Sequence, residues 1–217
     1  MRHWPLFDLR LITPRLELRL PSPEDLDELA ERALEGVHPP DYMPFTVPWT
    51  LVPREELPGE VVRFHLSVMG RWRREHWSCN FAVVHEGRVV GIQEMTAKEF
   101  AVTREVRTGS WLGRAHQGRG IGTEMRAAVL HLAFSGLGAL TATSGAAVDN
   151  HASLGVSRKL GYRPDGLQVH AVQGKRAVEQ RVRLAREDFR CPVPVEIHGL
   201  GPCLPHFGAG PPRRPAR

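Results

Sequence analysis

The sequence predicts an α/β domain, a mixed sheet flanked by helices. Three observations predict it. Between Gly109 and Asp165, apolar runs and turns follow the order strand, glycine-rich turn, helix, strand, turn, helix. The turn Gln117-Gly118-Arg119-Gly120-Ile121-Gly122 carries glycines at alternate positions immediately before a helical pattern. Upstream, Asn80–Val84 and Val89–Met95 flank Glu86-Gly87, which reads as two strands about a tight turn.

The elements follow in order. Leu16, Leu18 and Leu20 alternate with Glu17 and Arg19 in a half-buried strand. Ser22 caps a helix with Pro23 at its first position and Asp25 in its first turn. Leu26, Leu29, Ala30 and Ala33 form its apolar stripe, and Gly36 ends it. His38–Pro58 holds too many prolines for a long helix, and its aromatics suit either a core plug or a pocket wall. A second helix is expected over Glu60–Arg74, with Val61, Phe64, His65, Val68 and Trp72 on one side. His65 reads as packed or solvent-edged rather than catalytic, since nothing near it in sequence activates it.

Thr108–Leu112 is the strand that leads into the glycine turn, and Thr123–Phe134 the helix after it, with Met125, Ala128, Val129 and Leu132 inward. Leu140–Val148 is small and apolar, as in a strand buried on both faces and parallel to the preceding one. Asn150–Leu160 is a helix, and Gly166–Val172 and Ala177–Leu184 are strands joined at Gln173-Gly174. The chain thus divides into a domain at 1–190 and a Pro/Gly-rich C-terminal arm at 191–217, too apolar at Val193, Val195, Ile197, Leu200, Leu204 and Phe207 for a solvated tail. That segment is expected to pack as an extended arm, with a second subunit as the candidate surface, so the protein is read as a homodimer or higher homo-oligomer.

Composition narrows the function. Lys and Arg number 29 against 24 Asp and Glu, a net charge of +5, which suits nucleic acid or a polyphosphate ligand equally well. The polyphosphate reading is preferred, and no nucleic-acid partner is expected; the basic residues Arg213, Arg214 and Arg217 add to the excess. No apolar run nears a membrane span and no signal peptide is legible, so the expected location is the cytoplasm. Three cysteines are too few for a disulfide framework. Cys191, His198, Cys203 and His206 are spaced unlike any zinc pattern, and no metal is expected.

The glycine turn is built to hold an anion. Alternate glycines let N–H groups face one side, and the helix that follows adds its own free N–H groups and positive dipole end. The dinucleotide fingerprint fails at Thr123, and the P-loop pattern fails at Arg119 and Gly120. The pattern Q/R-x-x-G-x-G/A does fit. With Asn150-x-x-Ser153 and Leu160-Gly161-Tyr162 downstream, the chain resembles the GNAT superfamily of acyl-CoA-dependent N-acyltransferases. Thr13-Pro14-Arg15-Leu16-Glu17-Leu18-Arg19 further resembles the first strand of its RimJ/RimL group, which acetylates N-termini of ribosomal proteins.

The resemblance, spanning roughly Thr13–Phe189, implies a splayed strand pair that holds acyl-CoA. Pantetheine would lie between the strand ending Trp111-Leu112-Gly113 and the strand ending near Val148, with an N–H at about Leu112 polarising the thioester carbonyl. Gln117, Gly118, Arg119, Gly120, Ile121, Gly122 and Thr123 would meet the pyrophosphate. Asn150 would hold the pantetheine arm, and Ser153 would protonate the departing thiolate; both residues also suit a helix cap. Arg158 would meet a CoA phosphate or lie in solvent. Tyr162 reads as core. Glu94 and Asp149 are the carboxylates placed for a general base, with a relaying water as the alternative. The cofactor implied is acetyl-CoA or succinyl-CoA, and the partner an amine acceptor. Arg54, His65 and Lys98 are the basic candidates for a succinyl carboxylate. A non-catalytic CoA- or nucleotide-binding module is the further alternative.

Overall fold

A computed structural model describes residues 1–210 of the chain. The basic residues Arg213, Arg214 and Arg217 lie outside the described residues. The domain is one mixed nine-stranded sheet with helices on both faces. In chain order its elements are β1 (Arg10–Ile12), β2 (Leu16–Arg19), α1 (Pro23–Glu35), α2 (Leu57–Gly70), β3 (His76–His85), β4 (Arg88–Lys98), the short α3 (Phe100–Thr103), β5 (Glu105–Leu112), α4 (Ile121–His131), β6 (Thr141–Ala147), α5 (His151–Lys159), β7 (Arg163–Val172), β8 (Lys175–Ala185), β9 (Glu196–His198) and α6 (Leu200–Phe207). The spatial order is β7-β8-β6-β5-β4-β3-β2-β1-β9, antiparallel throughout except for β5 and β6.

The capping signals act as the sequence predicts. Ser22 and Asp25 form a reciprocal capping box, with Pro23 in the first turn. Leu26, Leu29, Ala30 and Ala33 are buried. They pack with Leu57 and Val61 of α2 on Ala82, Val84, Val89 and Ile92, a core cluster on one face of the sheet. On the other face α4 is buried nearly all round, with Met125, Ala127, Ala128, Val129 and Leu130 all at 2 % exposure or less. A single π-helical turn, Leu132–Gly136, ends it. Tyr162 is core, as expected, and its hydroxyl lies 3.1 Å from Thr108 Oγ1.

Several elements depart from expectation. Helix α2 runs Leu57–Gly70 rather than Glu60–Arg74, because Pro58 suits a first turn. Its buried residues are Leu57, Val61 and His65, so Phe64 is turned out at 53 % exposure and Trp72 is buried beyond the helix. Strand β6 runs parallel to β5, but its burial alternates; Thr141, Thr143, Gly145 and Ala147 are only partly buried. The segment after Cys191 is extended only through His198. There β9 pairs with β1 (Leu11 opposite Ile197), and α6 then folds back onto the same chain. The indoles of Trp72 and Trp77 donate to the carbonyls of His206 and Phe207, each at 3.1 Å. Burying Phe207 completely contributes roughly 1.5–3 kcal/mol.

Candidate active site

The site forms where β5 and β6 part. They pair only over Glu105–Arg107 and Thr141–Thr143, and both strands then continue apart. Ser144 Oγ donates to Thr108 O at 2.9 Å, which fixes the direction of that carbonyl toward β6. By strand alternation the N–H groups of Ser110 and Leu112 face the same edge, where no strand partners them among the described residues. Trp111 points to the opposite face from the buried Leu112 side chain and lies against Trp49, ring centroids 5.5 Å apart.

At the end of β5 the chain turns through Gly113 and one 3-10 turn into the glycine segment. Gln117 is turned inward: its Nε2 donates to Val37 O and Leu112 O, both at 2.8 Å. Gly118 and Gly120 have φ of 73° and 80°, a region in which a side chain is strained. Among the described residues, the N–H groups of Gly118, Arg119, Gly120, Ile121 and Gly122 donate to no protein acceptor. Five unpaired donors in succession lead into an eleven-residue helix, an arrangement suited to an anion. Thr123 N donates to Gly120 O and so belongs to the turn rather than the cradle. Arg119 is exposed, while its carbonyl accepts from Arg15 Nη1 at 3.1 Å.

The start of α5 forms the other wall of the gap. Asn150 is the N-cap, its Oδ1 accepting from Ser153 N at 3.1 Å, as the capping reading expects. Its Nδ2 and the Ser153 hydroxyl make no hydrogen bond among the described residues and stay available to a ligand. Arg158 lies exposed near the end of the helix.

On the face that carries Trp111, the pairing register sets Glu94 opposite Gly109 and Asn80, with Thr96 opposite Ser78 and Arg107. Ser78 Oγ lies 2.9 Å from Asn80 Oδ1 and 3.2 Å from Glu94 Oε1, and Asn80 Nδ2 lies 3.4 Å from His65 Nδ1. Burial pushes the Glu94 carboxyl above the usual carboxylate range, against the pull of the Ser78 hydroxyl and the Arg107 charge. Burial likewise pushes His65 down to about 4, so it is a neutral packed residue, as expected. A groove of about 640 Å³ opens beside these residues, lined by Thr96, Lys98, Arg107, Thr143, Arg181 and Arg183 among others. The proline–aromatic segment walls the far end. Phe45 and Trp49 pack toward Trp111, and the Tyr42 hydroxyl donates to Asp149 at 2.9 Å. Asp149 therefore sits at the mouth of the gap with a phenol bound to it, apart from Glu94.

The basic candidates separate. Arg54 binds Leu34 O at the surface, and Lys98 lies exposed at the groove. A cation that sequence reasoning missed stands inside: Arg126, 3 % exposed, donates to Ser157 Oγ at 2.9 Å and Ser110 Oγ at 3.3 Å. No carboxylate pairs with it among the described residues, and its Nε has no partner. Its signal was a charge within the apolar run Met125–Leu130. Ser78 and Asn80 were also missed; their signal was the hairpin register about Glu86-Gly87, which sets them opposite Thr96 and Glu94.

Residues 15–163 match the family model described as Acetyltransferase (GNAT) domain. The chain belongs to the GNAT acetyltransferase family. Solved structures give the same fold. RimL, a ribosomal L7/L12 alpha-N-protein acetyltransferase in complex with coenzyme A, is 20 % identical, with a TM-score of 0.66 over 80 % of this chain and 96 % of that one. Mycobacterium smegmatis RimJ in complex with CoA-disulfide is 18 % identical, with 0.67 over 84 % and 90 %. A GNAT-family acetyltransferase from Bacillus anthracis is 18 % identical, with 0.66 over 82 % and 99 %. The GNAT match ends at Arg163, the first residue of β7, so the rest of β7 and all of β8, β9 and α6 lie beyond it. Among the described residues of this GNAT chain, no helix is long and apolar enough to cross a membrane. Nor do any three His, Cys, Asp or Glu side chains gather as a metal site.

Proposed function

We propose that this chain transfers an acetyl group from acetyl-CoA to a primary amine, on a protein N-terminus, a lysine or a small molecule. The observation that carries the reading is the pair of unsatisfied donor sets, five N–H groups at Gly118–Gly122 and the free β5 edge at Ser110 and Leu112. The first set suits a pyrophosphate, and the second suits the amide arm of pantetheine running as an added strand. Acetyl-CoA would bring an activated thioester. The Leu112 N–H polarises its carbonyl oxygen, and the Asn150 amide orients the arm. Glu94 accepts a proton from the attacking amine, which its raised carboxyl pKa favours. The Ser153 hydroxyl passes a proton to the departing sulfur and takes one back from solvent. Asp149 is the second candidate, its carboxylate already accepting from the Tyr42 hydroxyl. The open, polar groove on the Trp111 face is the acceptor channel.

Calorimetry with CoA tests the cradle, and thiol release across an amine panel tests the chemistry. No binding at millimolar CoA overturns the reading; tight binding with no thiol release returns the non-catalytic module. Succinyl-CoA is the second reading, favoured by Arg126, a buried cation beside Ser110 with no carboxylate partner among the described residues. A succinyl preference of tenfold, about 1.4 kcal/mol, that Arg126→Met abolishes establishes it. Cytoplasmic residence and self-association belong to the same reading. The first is supported by three free cysteines, the second by Leu167 and Val169 exposed on the edge strand β7.

A further inference from the structure

Arg107 stands between two carboxylates and binds only one. On β5 it lies two residues before Gly109, on the same face, and Gly109 is paired with Glu94. On its other side, across β6, is Glu179 of β8. The register sets Glu179 opposite Ala147, next to Gly145, on the same face. Arg107 Nη2 lies 3.0 Å from Glu179 Oε1, and it makes no hydrogen bond with Glu94 among the described residues. The ion pair thus crosses the line along which β5 and β6 part.

Glu179 is prepared for this role. It is 5 % exposed, and its second oxygen lies 2.9 Å from His170 Nε2 on β7. It also occupies the space above Gly145, where a Cβ would meet Glu179 Oε1 at 1.7 Å. Any side chain at 145 would displace the carboxylate. A buried carboxylate held by two basic partners over an obligatory glycine has no part in the acyl-transfer steps above.

We propose that Glu179 is a positioning residue: by holding the Arg107 guanidinium across the gap, it keeps that cation from closing on Glu94 and leaves Glu94 free to take a proton. The inference rests on Glu94 being the base. The groups facing Glu94 are Ser78 and Asn80 from β3, His65 from α2 and Arg107 from β5, with Lys98 further along its own strand. Among the described residues, Arg107 is the arginine on an adjacent strand and on the same face that is able to approach. Freed from Glu179, it would pair with Glu94 and favour its charged form.

The test reads Glu94 directly and needs no acceptor. In the full chain with ¹³C-labelled glutamate carboxyls, the Glu94 resonance is assigned from Glu94→Gln and titrated. Glu179→Gln is expected to lower its midpoint by about 1 pH unit or more. Gly145→Ala, which displaces the carboxylate while keeping its charge, is expected to shift it the same way. Adding Arg107→Gln to either variant restores a midpoint at or above the starting one. Arg107→Gln alone, on a side chain 57 % exposed, folds independently of the other two and raises the midpoint. A Glu94 midpoint unmoved or raised by both Glu179→Gln and Gly145→Ala overturns the proposal, as does an unmoved midpoint in Arg107→Gln if neither of those variants folds. Thiol-release profiles separate the two readings: a shifted Glu94 midpoint with unaltered turnover removes Glu94 as the base and leaves the positioning intact.

Discussion

Arg15 clasps Glu124, with its Nη2 at 2.6 Å and its Nε at 2.7 Å from the same carboxylate oxygen. Thr13 Oγ1 and the Arg15 N–H hold the other oxygen, at 2.7 and 3.2 Å. The β1–β2 hairpin is thereby fastened to the first turn of α4. Arg15 Nη2 also passes 3.4 Å from where a Gly120 Cβ would stand. Arg15→Gln is expected to cost about 1–2 kcal/mol, below the usual loss for a broken buried pair because the arginine is 43 % exposed. CoA affinity should fall with it, since a cation leaves the cradle. Urea denaturation and calorimetry on one preparation check both; unchanged stability and affinity would make the clasp incidental.

Gly120→Glu should eliminate CoA binding. The residue sits at φ 80°, which costs a non-glycine residue of order 1–2 kcal/mol, and the new carboxylate faces the anion's place. Gly120→Ala carries the strain without the charge and should retain weakened binding. Equal affinities for the two variants would place the phosphate elsewhere.

At α5, Asn150→Asp keeps the cap and removes the amide donor, whereas Asn150→Ala removes both. The alanine variant should lose about 1 kcal/mol of stability and the aspartate variant almost none. If Asn150 Nδ2 meets the ligand, both should bind CoA more weakly. Ser153→Ala should leave CoA affinity within about threefold while lowering turnover, the pattern of a group acting only as the thiolate departs. Turnover unchanged by that variant reduces Ser153 to part of a cap.

Two buried groups give opposite pH trends. His65 is held at about 4 by burial, below its unfolded value near 6.5, so the stability from its neutral form is complete above pH 6.5. It is lost as pH falls from there to about 4, by up to about 3 kcal/mol. His65→Leu should flatten that dependence. The Glu94 carboxyl is raised, so its protonated form is the stabilising one. That contribution is present below its unfolded value and lost as pH rises through the folded one. Glu94→Gln should therefore stabilise the protein at pH 7 and change little at pH 4, in thermal melts, while suppressing turnover by roughly 100-fold or more. A variant no more stable at pH 7 would mean the carboxylate is better solvated than its burial indicates.

Local signals carried most of the fold. Ser22-Pro23 and Asp25 specify a cap whose partners lie within one turn, and Gln173-Gly174 a hairpin turn with φ of 51° and 72°; both are legible because the physics is local. The glycine turn before α4, with positive φ at Gly118 and Gly120, was legible for the same reason. Glu179 was not, since its role depends on Gly145 and Arg107 from two other strands, a register that no single segment encodes. Nor was the alternating burial of β6, whose small apolar residues read alike whether one face is sealed or two. Arg126 shows the same limit: its spacing fits a solvated helix position, and only the packing of β5 and α5 against α4 buries it.

The pairing of Leu11 with Ile197 joins segments nearly the whole sequence apart. Until residues 196–207 have been synthesised, β1 is an open sheet edge, and Trp72, Trp77 and the Leu6–Leu9 segment lack the cover that Cys203 and Phe207 provide. A contact this distant in sequence slows folding, because the loop must close before the contact stabilises anything. The nascent protein therefore presents its aromatic surface and unpaired strand throughout most of translation, a period in which chaperone capture competes with aggregation.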